Sequence, residues 1–167
     1  MSKSEQEPAS DTEVCIREFQ PGDEAAFRSL NEEWITRYFR LEPKDEKVLA
    51  DPQETILGAG GKIFFAIAGA RHLGCCALLR TGEDEFEVAK MAVIPASQGA
   101  GIGRKLLHAV IEAGRSAGAR SLYLETNHTL KPAIRLYESM GFKHLPSSQI
   151  TPSQYERADV YMKINLV

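Results

Sequence analysis

The stretch Gln98-Gly99-Ala100-Gly101-Ile102-Gly103-Arg104 decides how the rest of the chain is read. It follows a run suited to a strand, Phe86-Glu87-Val88-Ala89-Lys90-Met91-Ala92-Val93-Ile94-Pro95. It leads into one suited to a helix, Arg104-Lys105-Leu106-Leu107-His108-Ala109-Val110-Ile111. Three glycines in five positions let the backbone turn sharply and approach a ligand closely. Their N–H groups and the helix N-terminus behind them form a site for a pyrophosphate, so the loop points to a phosphate-bearing cofactor. Two common nucleotide sites are excluded. Gly99 to Gly103 does not fit G-x-G-x-x-G, and it lies past mid-chain after three antiparallel-looking strands, not in the first turn of a parallel sheet. No G-x-x-x-x-G-K-[ST] segment is present.

Upstream of the loop, Val14 to Phe19 alternates as a half-buried strand. Pro21-Gly22-Asp23 starts a helix with Asp23 as N-cap, and Phe27, Leu30, Trp34 and Tyr38 recur along it at helical spacing. Pro43 ends that helix, a short helix covers Asp45 to Ala50, and Gly58-Ala59-Gly60-Gly61 is a turn. Ile63 to Ala68 and Leu73 to Leu79 form a hairpin across Gly69-Ala70-Arg71-His72. Downstream, an amphipathic helix runs from Gly103 to Ala117, with Leu106, Leu107, Val110 and Ile111 as its core stripe and Gly118 as its stop. Then come a strand at Ser121 to Thr126, a helix at Pro132 to Met140 and strands at Phe142 to Leu145 and Asp159 to Leu166. The polar loop Pro146 to Arg157 separates the last two. The order β-α-α-β-β-β-α-β-α-β-β describes one mixed α/β (α+β) domain over residues 13–167, preceded by a polar, disordered tail at 1–12.

Composition agrees with a globular domain: of 167 residues 43% are hydrophobic and 26% charged. A net charge of −3 leaves no electrostatic footprint for nucleic acid or an anionic membrane. No apolar run reaches the ~20 residues of a membrane span, and the first twelve residues hold no secretory h-region. Cys15, Cys75 and Cys76 have no metal-ligand spacing and sit in apolar surroundings, which reads as buried free thiols in a cytoplasmic protein. No metal constellation is found, and His72, His108, His128 and His144 stand singly. His72 is assigned to a turn, and only His128 lies near the expected cleft.

Gln98-x-x-Gly101-x-Gly103, together with Ala133-Ile134-Arg135-Leu136-Tyr137-Glu138-Ser139-Met140-Gly141-Phe142, resembles the GNAT superfamily of N-acetyltransferases, and in particular its small bacterial members. The first segment is similar to the superfamily's acyl-CoA pyrophosphate loop, the second to its A-x-x-L-Y-x-x-x-G-F segment. The resemblance spans roughly Val14 to Leu166. It implies a mostly antiparallel central sheet flanked by helices, with the fourth and fifth strands splayed to hold the pantetheine arm of acetyl-CoA. Met91, Ala92 and Val93 would present backbone groups to pantetheine as an added strand does. One of their N–H groups would polarise the thioester carbonyl. Gln98, Gly99, Ala100, Gly101, Ile102, Gly103 and Arg104 would cradle the pyrophosphate. Members often carry an asparagine seven residues before the tyrosine. Here that position is Leu130, and Asn127 is the nearby candidate for the cofactor contact.

Acetyl transfer needs a neutral amine, a polarised carbonyl and a proton for the departing thiolate. By resemblance, Tyr137 is that acid; a phenol with a pKa near 10 keeps its proton at neutral pH. Glu87 and Glu125 compete as the base, directly or through water, and family members also work with neither. Phe142 and Met140 read as core.

The acceptor would meet the first two helices, the fourth strand and the loop before the last strand. Trp34, Tyr38 and Leu41 share a helix face that reads as core. Glu42 and Asp45 read as solvated charges, although they could attract a cationic amine. Tyr155, Arg157 and Asp159 border the cleft, and Arg157 favours an acceptor with a carboxylate. The two cues point to different acceptors: a small molecule, an amino acid or a peptide. The alternative to an enzyme is a non-catalytic acyl-CoA-binding sensor or scaffold. The resemblance also implies a possible homodimer.

Overall fold

A computed structural model describes residues 13–167, so the tail expected at 1–12 lies outside the described residues. The elements follow the expected order: β1 Cys15–Glu18, α1 Glu24–Tyr38, α2 Pro43–Ala50, β2 Lys62–Ala68, β3 Arg71–Arg80, β4 Glu85–Val93, α3 Ile102–Ser116, β5 Ser121–Thr126, α4 Lys131–Ser139, β6 Lys143–His144 and β7 Val160–Asn165. A π-type turn at Gln53–Leu57, absent from the sequence reading, joins α2 to β2. The strands form one sheet ordered β1-β2-β3-β4-β5-β7-β6. Every pairing is antiparallel except β4 with β5.

Alternation along the strands divides the core between the two faces of the sheet. On one face α3 lays Leu106, Leu107 and Val110, none exposed, against Phe86, Val88, Leu122 and Leu124. Each such side chain is worth roughly 1.5–3 kcal/mol of burial. Helix and sheet approach so closely that a Cβ on Gly114 would lie 2.9 Å from Leu122 Cδ2. On the other face Phe27 and Leu30 of α1 and Leu49 of α2 cover Ile63, Phe65, Cys75 and Ala77.

Several local expectations are corrected. Asp23 precedes α1 but makes no side-chain cap, because its carboxylate is claimed elsewhere. Arg17 grips it at 2.7 and 3.1 Å, and His72 and the Gln20 N–H reach it at 2.9 and 2.8 Å. His72 is therefore part of β3, not of the hairpin turn, and the cluster ties the start of α1 to β1 and β3. Pro43 does not end α1, which stops at Tyr38; it opens α2, where its missing N–H has no partner to lose. Cys75 and Cys76 are buried free thiols, whereas Cys15 is exposed on the edge strand β1. Burial pushes the Cys75 thiol up to about 12, which keeps it protonated and inert.

Candidate active site

The parallel ladder between β4 and β5 pairs Glu85 to Val88 with Ser121 to Leu124 and stops there. Beyond it, Glu125 and Thr126 pair only with β7, so the two strands splay. A bulge sets the opening: Cys75 faces Ala92 and Ala77 faces Ala89, leaving Lys90 and Met91 opposite the single residue Cys76. Lys90 is the one non-glycine among the described residues with a left-handed backbone, φ 53°. The backbone edge of β4 past Val88 thus turns toward a cleft of about 630 Å³ that runs between the splayed strands to the glycine loop.

At one end lies that loop. Gln98, Gly99, Gly101, Ile102, Gly103 and Arg104 line the cleft, with Met91 and Val93 beside them. Gly99 and Gly101 have φ 83° and 79° and open space where a Cβ would stand, so the backbone itself forms the surface there. The first turn of α3, Ile102 to Arg104, lines the same space, and its N–H groups have no carbonyl partners within the helix. Two residues of this stretch are not among those lining the cleft, Ala100 and Ala92. The Ala100 N–H is bound to the Ser97 carbonyl at 3.3 Å, and the Ala92 side chain is buried in the core. The Arg104 guanidinium holds Ser139 Oγ at 2.9 Å and Met140 Sδ at 3.2 Å, tying α3 to α4. Asn127 lines the cleft, but its amide donates to the Arg157 carbonyl and its Oδ1 accepts from Thr129.

Tyr137, on α4, lines the cleft, 8% exposed, with its ring edge-on to Phe142 at 6.0 Å. Burial raises its phenol above the usual range, which keeps the proton on the oxygen. Glu87 and Glu125 share the sheet face turned away from α3, because Glu87 pairs with Tyr123 and Glu125 follows two residues on. Burial, and then repulsion from Glu125, push Glu87 up to about 7. Glu125 accepts from Tyr123 Oη at 3.2 Å and from Ser153 Oγ at 2.5 Å. Tyr123 and Ser153 went unremarked in the sequence. Tyr123 is legible afterwards by alternation with Glu125; Ser153, in the long loop, carries no signal.

The far end is walled by α1 and by the segment before β7. Trp34 and Tyr38 line it with ring centroids 5.4 Å apart; Leu41 and Trp34 also pack against the core as expected, whereas Tyr38, 45% exposed, belongs to the cleft. Glu42 and Asp45, read as solvated, are buried. Asp45 receives Lys90 Nζ at 2.6 Å and both Arg157 nitrogens at 2.7 Å, and Glu42 receives Arg157 at 3.1 Å. The Tyr155 ring lies between these cations, 4.6 Å from Lys90 Nζ and 4.5 Å from the Arg157 guanidinium carbon, with Lys44 at 5.0 Å. Its hydroxyl accepts from Lys90 at 3.0 Å. Lys90 was missed as a site residue; the signal was a charge inside the apolar run Val88 to Val93. His128 is exposed and pairs with Asp159 at 2.5 Å.

No group of three potential metal ligands occurs among the described residues, and no helix there is long and apolar enough to cross a membrane. A family model described as the acetyltransferase (GNAT) family matches residues 25–142. The chain is 37% identical over 98 residues to the N-alpha-acetyltransferase RimI of Mycobacterium tuberculosis, covering 58% of this chain and 57% of that protein. It spans about half the length of the first curated relatives it matches. A GNAT-family acetyltransferase structure from Staphylococcus aureus superposes with a TM-score of 0.85 at 19% identity, covering 93% of this chain and all of that one. The structure of yncA from Salmonella typhimurium, solved with acetyl-CoA, does so with a TM-score of 0.72 at 21% identity, covering 92% and 94%.

Proposed function

The chain belongs to the GNAT family of acetyltransferases, and from that premise we propose that it transfers an acetyl group from acetyl-CoA to a primary amine by direct attack on the thioester. One observation carries the reading. The glycine loop, Tyr137 and the Glu87–Glu125 pair line a single cleft, which supplies groups suited to a pyrophosphate, a departing thiolate and an amine.

The cleft fits the donor. Its loop presents backbone where Gly99 and Gly101 leave open space, and the unpaired edge of β4 is suited to a strand-like pantetheine. The donor supplies an acetyl carbon activated as a thioester. The edge from Met91 to Val93 orients that carbonyl. Glu87, poised near neutrality, takes a proton from the incoming ammonium, directly or through water, so that the nitrogen has a lone pair. As the C–N bond forms and the C–S bond breaks, the Tyr137 hydroxyl gives its proton to sulfur; the second proton that the nitrogen sheds on becoming an amide passes through water to the tyrosinate, and Glu87 returns the first to solvent. Glu125, held by Tyr123 and Ser153, keeps the site acidic and raises Glu87.

Calorimetric titration with acetyl-CoA, with NAD and ATP as controls, followed by thiol release in the presence of amines, tests the proposal. Selective acetyl-CoA binding with amine-dependent thiol release is expected. Binding without release for any amine would leave an acyl-CoA sensor, and no binding to folded protein would remove both readings.

A further inference from the structure

The acceptor end of the cleft says more about the amine, on the reading that this is an acetyl-transfer site. Four side chains there bear charge: Glu87, Lys90, Glu125 and Arg157. Both cations are already engaged from behind. Asp45, with no exposed surface, binds Arg157 through both carboxylate oxygens and Lys90 through one, and Glu42 adds a second carboxylate to Arg157. Two carboxylates against two cations leave this group neutral, and the bidentate Arg157 contact is the strongest kind such a pair makes. A carboxylate arriving with a substrate would have to displace Asp45 from a dry site. The two remaining charges, Glu87 and Glu125, form no ion pair among the described residues; Glu125 is held only by hydroxyls. Lys44, 5.0 Å from the centre of the Tyr155 ring, also draws the Glu87 carboxyl down, as Lys90 does, but it is not among the lining residues. The charge left open to the cleft is therefore negative.

The facing wall is aromatic. The Trp34 ring stands 5.4 Å from that of Tyr38 and 6.3 Å from that of Phe39, all three lining the cleft. Such faces hold apolar bodies and attract cations. We propose that the acceptor is a primary amine that arrives as a cation on an aromatic or apolar body and bears no carboxylate beside the amine. Free amino acids are refused. Their decarboxylated or amidated counterparts, the N-terminus of a peptide included, are admitted.

The test is thiol release from acetyl-CoA with matched acceptors on the full chain: phenethylamine, phenylalanine amide, phenylalanine and ethylamine. The expected kcat/KM for phenethylamine and phenylalanine amide exceeds that for phenylalanine by about tenfold or more, the penalty of an unpaired carboxylate near two acids. Phenethylamine also exceeds ethylamine, and Trp34→Ala narrows that second ratio. Phenylalanine used as well as phenethylamine, or ethylamine preferred, would overturn the inference. So would failure of all four in a protein that binds acetyl-CoA, which leaves donor binding standing. Failure to bind acetyl-CoA at all would instead overturn the reading on which the inference rests.

Discussion

Lys90 Nζ lies 2.6 Å from Asp45 Oδ1, with the two side chains 5% and 0% exposed, so the bulge of β4 is fastened to α2 by a buried ion pair. The fastening matters because Lys90 carries the left-handed backbone that turns the strand edge toward the cleft. Burial alone pulls the Lys90 ammonium down, and Asp45 holds it up; Arg157 holds Asp45 in turn.

Removing Asp45 strands two buried cations. Asp45→Asn is expected to cost about 3–5 kcal/mol, read as a fall in the urea midpoint. The native Asp45 carboxyl lies at about 2, below its unfolded value of 3.8. Its contribution is therefore complete above the ordinary carboxylate range and lost as pH falls toward about 2. It amounts to about 2 kcal/mol. The variant should show a flatter acid limb; an unchanged limb would deny Asp45 this role.

Glu87 behaves in the opposite sense. Its native pKa of about 7 lies above the ordinary 4.5, so ionising it costs stability that is absent below about 4.5, accrues through 7 and stays constant above. Glu87→Gln should therefore gain up to about 3 kcal/mol at pH 8 relative to pH 4.5. In the wild type kcat/KM should rise through about 7, and the variant should lose that rise. Lys90→Met, which removes a charge that holds Glu87 down, should move the rise to higher pH.

Tyr137→Phe keeps the ring against Phe142 and deletes only the proton donor. Turnover should fall by roughly 10²–10⁴-fold while acetyl-CoA affinity, measured by calorimetry, stays within a factor of about two. Unchanged turnover would remove Tyr137 from the mechanism.

Gly101 has φ 79° and open space at its Cβ, so Gly101→Ala clashes with nothing and pays only in backbone strain, about 1–2 kcal/mol. Relief of that strain would swing the loop amides off the donor. Gly103 has no positive φ, and its Cβ would press on Leu136 Cδ2 at 3.2 Å, a flexible side-chain end. Acetyl-CoA affinity should drop more for Gly101→Ala than for Gly103→Ala; the reverse order would argue against a backbone cradle.

What the sequence determined by itself is whatever rests on local rules. The apolar runs of β2 and β3 on either side of a tight turn, the 3.6-residue stripe of α3 and the glycines around Gly101 each depend on neighbours within a few residues, so element order and the donor loop were legible. The Tyr137 segment could be placed by resemblance. The tertiary structure decided what depends on partners far along the chain. Asp45 and Arg157, 112 residues apart, read separately as a solvated charge and as a cleft cation open to an acceptor's carboxylate. Only folding brings them together and out of water, where neither can remain without the other. The same holds for Asp23, whose place before a helix predicted a cap while Arg17 and His72 claimed its oxygens. Trp34 and Tyr38 have the spacing of core residues. They line a cleft because β4 and β5 part at Val88 and Leu124, and periodicity along a helix cannot report whether the surface it faces is filled.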